Sequence, residues 1–406
     1  MYVLDERLFP FEVLVENYSE EDKIFQVISK VNPGQIDRYY CHIGCGRKPS
    51  DRKAIFRALV LKKLMGLVTV KSLHQCLSYS PLLAHWCGFD ITQKLPSEST
   101  FSRFGTELAE IPELLELLGK IAEDLAAEIL SITGSKGQII IDSSDLPAHE
   151  KAVKGSDTGA NFGHRTASTG ESEIFYGYKI HLAAVNTDIG PIPVTARVAP
   201  ANCSDVEIAP ALMKESCKFH RNILGRNPLY YLMDAGYDAG YIYEQALHQE
   251  GQAITKLNLR GHENKSTEFT DNGTPYCPAG HPMVYFGTEK KKLLNKFRCP
   301  KSCGQEVNCQ NECGCINSYG YTKRISIKNN PRLFCSPHRD THNWNELYSQ
   351  RSSIERLFSV LKTHLNMDKL TRRGINKAFV DVMFSLITFL AGTAVQIQYC
   401  KALKAA

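Results

Sequence analysis

In the N-terminal part of the chain apolar positions recur at helical spacing, first through Ile55, Leu59, Leu61 and Leu64 and again through Leu73, Cys76 and Leu77, with Gly66 between. That spacing predicts two amphipathic helices broken at the glycine. Pro96-Ser97-Glu98-Ser99-Thr100-Phe101-Ser102-Arg103-Phe104 follows, with Ser97 a natural N-cap behind a proline. Residues 1–130 therefore read as an all-α unit. Its hydroxyl- and arginine-bearing last helix suits a helix-turn-helix-like reader that sets Arg103 against DNA, or equally a helical scaffold with no base contacts.

Near Gly134 the period gives way to runs. Gln138-Ile139-Ile140-Ile141-Asp142 is a β-branched run stopped by an acid, which predicts a buried strand with a carboxylate at its C-terminal end. Gly155 to Glu173 is rich in Gly, Ser, Thr and Asn and is expected to be a mobile loop. Tyr176–Val185 and Pro191–Val198 read as a hairpin. Ser204–Lys218 reads as a helix, Leu229–Met233 as a second apolar strand ending in Asp234, Ala239–His248 as a helix, and Ala253–Thr255 as a short strand. This order predicts an α/β fold, an RNase H-like mixed sheet with flanking helices. Residues 256–343 interrupt it with polar, cysteine-rich sequence, after which Trp344–Leu365 is strongly helical. The core is thus expected over 131–255 and 344–400. Phe379–Val395 is apolar, but Asp381 interrupts it and it falls short of the ~20 residues of a membrane span; it predicts a buried C-terminal helix.

Composition adds limits. A chain of 406 residues with 43% apolar content suggests two or three folded domains. The formal charge of +5 permits nucleic-acid partners without demanding them. The N-terminus lacks a basic segment followed by an apolar one, so export is not expected. Seven of the 14 cysteines lie between Cys277 and Cys335. Outside an exported chain that clustering points to metal ligation or buried thiols before disulfides. Cys277-x3-His281, Cys299-x3-Cys303, Cys309-x3-Cys313-x-Cys315 and Cys335-x2-His338 have spacings close to zinc knuckles. One or two structural Zn²⁺ are expected, with unpaired buried cysteines as the alternative. Lys290, Lys291, Lys292, Lys296, Arg298 and Lys301 cluster in the same segment with Tyr285, Phe286 and Phe297. Such a patch suits the DNA backbone.

The segment Tyr348-Ser-Gln-Arg351-Ser-Ser-Ile-Glu355-Arg-Leu-Phe-Ser-Val-Leu-Lys362 carries the chemistry. At ~100° per residue, Tyr348, Arg351, Glu355 and Lys362 share one helix stripe about 60° wide. Ile354, Leu357, Phe358, Leu361 and Leu365 occupy the adjacent, buried sector. Glu355 could thus meet Asp142 and Asp234 at the sheet, while a solvated salt-bridged face is the alternative. Asp145 competes with Asp142, but Asp142 directly ends the isoleucine run and Asp145 is expected in the following loop. Lys179 and His181 share a strand face and read first as a structural pair, with an approach to the acids as the alternative.

Tyr-x2-Arg-x3-Glu-x6-Lys resembles, without gaps, the signature of insertion-sequence DDE transposases of the YREK group. Ile141-Asp142-Ser143-Ser144, Gly177-Tyr178-Lys179-Ile180-His181 and Asp234-Ala235-Gly236-Tyr237-Asp238 are similar to other stretches of that family, and the likeness runs from about Phe9 to Leu370. The resemblance implies a DNA transposase. Asp142, Asp234 and Glu355 would be its catalytic triad on two Mg²⁺ or Mn²⁺ ions; Tyr348, Arg351 and Lys362 would hold DNA near the cleaved phosphate. It further implies transposon ends and target DNA as partners, a homo-oligomer on DNA, and a cytoplasmic, nucleoid-associated location without a membrane. A DNA-binding regulator or domesticated transposase without catalysis is the alternative.

Overall fold

The computed structural model describes residues 22–34, 36–40, 49–152, 159–166, 171–258, 268–309 and 319–405. Among the described residues six α-helices make up the N-terminal part: α1 (Lys23–Lys30), α2 (Arg52–Leu64), α3 (Val70–Tyr79), α4 (Pro81–Cys87), α5 (Glu98–Glu110) and α6 (Pro112–Thr133). Aspartates start the first two. Asp22 accepts from the amides of Ile24 and Phe25 at 2.7 and 3.3 Å, and Asp51 from those of Lys53 and Ala54 at 2.8 and 3.1 Å, satisfying donors that the first turn leaves free. α2 and α3 part at Gly66, whose φ of +64° lies in the left-handed region.

The sheet is built on β1 (Gln138–Pro147), β2 (Asn161–Thr166), β3 (Ser172–Thr187), β4 (Gly190–Pro200), β5 (Tyr230–Leu232) and β6 (Gln252–Ile254), in the order β2-β3-β1-β5-β6 with β4 also on β3. β3 runs antiparallel to both β1 and β4, whereas β5 and β6 join in parallel through helices α7 (Asp205–Leu224) and α8 (Gly240–His248). Ile139, Ile140 and Ile141 are completely buried, as a strand covered on both faces requires.

Three local expectations change. β1 does not stop at Asp142. It runs on to Pro147 because the 16-residue β3 offers a partner along its whole length. Asp145 consequently lies within β1, opposite Lys179, and not in a loop. The polar stretch expected as a mobile loop contains β2, paired with the first residues of β3. Its composition is polar because much of it faces solvent: Phe162 is 55% exposed and packs at a tilt on Tyr176, ring centroids 5.1 Å apart.

Residues 268–309 and 319–341 follow β6. They carry an antiparallel sheet of β7 (Val284–Glu289), β8 (Leu294–Arg298) and β9 (Thr322–Ser326). Period-two alternation is visible in β8, where Asn295 and Phe297 are buried and Leu294, Lys296 and Arg298 are not. Cys277, Met283, Phe297, Ile325, Ile327 and Phe334 form a separate apolar cluster beneath it.

The chain then returns through α9 (His342–Ser349), a 3-10 turn (Gln350–Ser352), α10 (Ser353–Thr363) and α11 (Ile375–Ala405). α11 is longer than the apolar run suggests. Ile375–Lys401 has the length and hydropathy to cross a membrane, yet most of it is buried within the protein, with Phe384 against Phe56 of α2 at 4.9 Å between centroids. Asp381 is tolerated there because it is paired, 3.0 Å from Arg372. Burial opposes its charge, but Arg372, Lys63 and Lys62 together hold the carboxyl below its usual range.

Candidate active site

β1 and β5 run parallel only over Gln138–Ile140 and Tyr230–Leu232, so Asp142 and Asp234 both lie just past the end of that pairing. Asp142 is 16% exposed, and its Oδ1 accepts from the Ser143 amide at 2.9 Å. Burial pushes its carboxyl up to about 7. The charges of Asp234 and Glu355 add to the rise, while the Ser143 amide and Arg351 oppose it. Asp234 caps the 3-10 turn Ala235–Tyr237 and accepts from the Gly236 amide at 2.8 Å. Glu355, in the first turn of α10, is 54% exposed.

Arg351 joins two of these acids. Its Nη2 is 2.8 Å from Glu355 Oε1 and its Nη1 3.6 Å from Asp142 Oδ2. The guanidinium carbon also lies 5.9 Å from the centre of the Tyr348 ring, which stacks on Trp344 at 5.0 Å and receives Lys256 Nζ at 5.0 Å. Among the described residues no three His, Cys, Asp or Glu side chains gather closely enough to share a metal ion; Asp142 and Glu355 meet around a guanidinium.

Local sequence explains how Arg351 gets there. Ser349, Ser352 and Ser353 each turn their hydroxyl back onto the carbonyl three residues earlier, at 2.7, 3.0 and 2.8 Å. Such bonds compete with the α-helical ladder, and the helix expected to run unbroken from Trp344 takes a 3-10 turn at Gln350–Ser352. The turn is moored to the sheet: Asn186 Nδ2 donates to Gln350 Oε1 at 3.0 Å and to Gln138 Oε1 at 2.7 Å. Beyond it Ile354, Leu357, Phe358, Leu361 and Leu365 are buried, as the helical stripe predicts. Tyr348, Arg351 and Glu355 gather at the acids. Lys362, seven residues further on, has Asp145 and Asp368 as its nearest balancing charges, while burial holds its ammonium below the usual range.

Residues 133–390, well over half of the chain, match the family model described as "Transposase DDE domain". The chain belongs to the DDE transposase family. Residues 11–107 match a second model, "Transposase domain (DUF772)", which covers most of the helical N-terminal part. No curated protein matches the chain. The mixed sheet and its flanking helices are thus the RNase H-like fold of a transposase core.

Elsewhere in this transposase, Lys179 Nζ lies 3.3 Å and His181 Nδ1 3.7 Å from Asp205 Oδ1. His181 is completely buried, neither ring nitrogen has a hydrogen-bond partner, and burial lowers its pKa to about 4, so the ring is neutral at physiological pH. Asp205, at the start of α7, was not apparent as its partner from the sequence. Arg103 is exposed on α5, its Nε 3.4 Å from the Ser99 carbonyl. Lys291 and Lys292 sit exposed on the 3-10 turn between β7 and β8, Lys292 paired with Glu289 at 2.9 Å. At the opposite end of β8 from that turn, Arg298 lies over two aromatic rings, 3.8 Å from the centre of Tyr319 and 4.6 Å from that of Phe286.

The cysteines are dispersed in role. Cys277, Cys299 and Cys335 are buried and Cys303 and Cys309 half-buried. Cys335 donates to the Pro337 carbonyl at 3.3 Å. Cys313 and Cys315 lie outside the described residues.

Proposed function

We propose that this transposase is of the YREK type, cleaves DNA at the ends of its own mobile element and joins the freed 3′ ends to target DNA. The observation that supports this reading is that Arg351 draws Asp142 of β1 and Glu355 of α10 onto one guanidinium, with Asp234 near enough for Asp142 to feel its charge. The donor set is all carboxylate oxygen, the chemistry that hard divalent cations prefer, and the raised Asp142 carboxyl is what a cation would relieve. Asp142, Asp234 and Glu355 would hold the ions, Mg²⁺ or Mn²⁺. When bound, a pair of such ions activates the attacking oxygen and stabilises the leaving one.

The protein's own part is orientation. β1 and the capped turn after β5 would hold two carboxylates, and the moored 3-10 turn would set the angle at which α10 presents the third. Tyr348, Arg351 and Lys362 would grip the phosphates beside the scissile bond, Arg103 and the face bearing Lys291, Lys292 and Arg298 the flanking duplex. Pairing of two element ends calls for a homo-oligomer on DNA, in the cytoplasm at the nucleoid. The deciding assay offers the purified protein duplexes with the inverted repeats that border its gene, in Mg²⁺. Cleavage at the repeat ends and strands joined to target are expected. Repeat-specific binding with neither product would instead leave a DNA-binding regulator.

We further propose that Cys277, Cys299, Cys303 and Cys309, with Cys313, Cys315 and Cys335, supply a structural Zn²⁺ that closes the segment between β6 and α9. Thiolate sites there would add to a small apolar cluster. About one zinc per chain is expected from elemental analysis of the purified protein, and none at all removes the proposal.

A further inference from the structure

The two contacts of Arg351 engage oxygens that a divalent ion needs. Glu355 Oε1 faces Nη2 at 2.8 Å and Asp142 Oδ2 faces Nη1 at 3.6 Å. An ion pair serving only helix stability would link Arg351 to Glu355, four residues on, and stop there. The reach across to β1 is an additional contact, made from a half-buried position on a turn that three serine hydroxyls and the Asn186–Gln350 hydrogen bond hold in place. A guanidinium on these carboxylates and an ion within ~2.1 Å of them repel each other strongly at such range. The two cations therefore compete for one site.

We propose that Arg351 is a displaceable internal cation: it holds Asp142 and Glu355 until divalent ions take them, and the released guanidinium then binds a DNA phosphate. Metal loading and DNA grip are coupled through this one side chain. The seat for the released group is close by, since Tyr348 already lies 5.9 Å from the guanidinium, and a fork of N–H donors suits a phosphate as well as a carboxylate. By linkage the coupling is reciprocal, so DNA tightens metal binding by the same factor as metal tightens DNA binding. The inference rests on the proposed assignment of the three acids as metal ligands.

The test titrates Mn²⁺ into the full-length protein by calorimetry and, separately, measures binding of the bordering-repeat duplex with and without Ca²⁺. Arg351→Gln is expected to bind Mn²⁺ about tenfold tighter than the wild type, because no resident cation has to leave. Arg351→Met, which keeps the stem, should behave alike and covers a failure of the Gln variant to fold. Arg351→Lys keeps the charge and should restore most of the weaker wild-type binding. Ca²⁺ should raise the wild type's affinity for the duplex and leave that of Arg351→Gln unchanged. Equal or weaker Mn²⁺ binding in folded Arg351→Gln or Arg351→Met overturns the coupling. Asp142→Asn separates the two claims: if it binds Mn²⁺ like the wild type, the assignment of the acids falls and the coupling with it, whereas loss of Mn²⁺ in Asp142→Asn beside an unchanged Arg351→Gln removes the coupling alone.

Discussion

Asp142→Asn should lower cleavage of element ends at least ~10³-fold while leaving affinity for the duplex, measured in chelator, within about threefold of the wild type. The amide keeps the size and shape of the side chain, and its oxygen can still accept from the Ser143 amide, so the strand need not move. What disappears is a negative ligand worth several kcal/mol in a transition state held by cations. Asp234→Asn and Glu355→Gln should lose cleavage in the same way. Near-normal cleavage in Mg²⁺ by any one of the three removes that residue from the catalytic set.

The same substitution should stabilise the protein when divalent ions are chelated. Asp142 is largely covered and lies near two like charges, which with burial push its carboxyl up to about 7, against about 3.9 in an unfolded chain. The folded state therefore binds the extra proton between those values, and the wild type loses stability as the pH rises from about 4 through about 7. Asparagine carries no such charge. Its advantage in thermal melts should be on the order of 2 kcal/mol above pH 7 and should vanish near pH 4. A site that gains stability by losing its acid is a site selected for function. Equal melting of the two proteins at pH 8 in chelator would show that the carboxylate is not strained by its neighbours.

Much of the fold was legible because its central pieces are apolar and regular. The run at Ile139–Ile141 and the one at Tyr230–Leu232 stand out since both strands are covered on two faces, and the stripe from Ile354 to Leu365 stands out since α10 lies on the sheet. Elements on the rim were less visible. β2 is Asn-Phe-Gly-His-Arg-Thr, whose composition matches its solvent-facing position more than its backbone pairing. The break between α9 and α10 leaves no mark on hydrophobic periodicity, because it comes from serine hydroxyls bonding to nearby carbonyls.

The site divides along the same line. The spacing of Tyr348, Arg351 and Glu355 predicts a shared direction that survives the 3-10 turn between them, and two acids that end apolar runs predict where it should point. The spacing says nothing of which carboxylate Arg351 reaches, since Asp142 lies on a different element far back in the chain. Nor does it say which charges act on Lys362, in register with the other three but two turns along, where Asp145 and Asp368 balance it. The helical repeat fixes direction around an axis, and position along the axis decides contact.

Asp238 is the clearest case of a residue whose role only the fold reveals, and Arg332→Ala is expected to cost about 2–3 kcal/mol through it. Asp238 follows Asp234 by four residues, and its side chain is fully buried. Arg332, 94 residues later, forks onto it with Nε 3.0 Å from Oδ1 and Nη2 2.6 Å from Oδ2. The Tyr243 hydroxyl donates to Oδ1 at 2.9 Å and the Asn258 amide to Oδ2 at 2.7 Å. Arg339 extends the network, donating to Tyr243, the Thr255 carbonyl and the Arg332 carbonyl at 3.3, 3.4 and 2.8 Å. Together these bonds fasten the segment carrying β7–β9 to the turn that bears Asp234. Removing the guanidinium strands a buried carboxylate, a loss kept below the range for fully buried pairs because Arg332 is 37% exposed. Asp238→Asn combined with Arg332→Gln should cost less than the sum of the two single changes, since no charge is then left unpaired. Hydrogen exchange in Arg332→Ala should rise first in residues 268–309 and 319–341, and cleavage should fall because the turn at Asp234 loses its anchor. Uniformly unchanged exchange, with wild-type melting, would mean that the segment is held to the core by its apolar contacts alone.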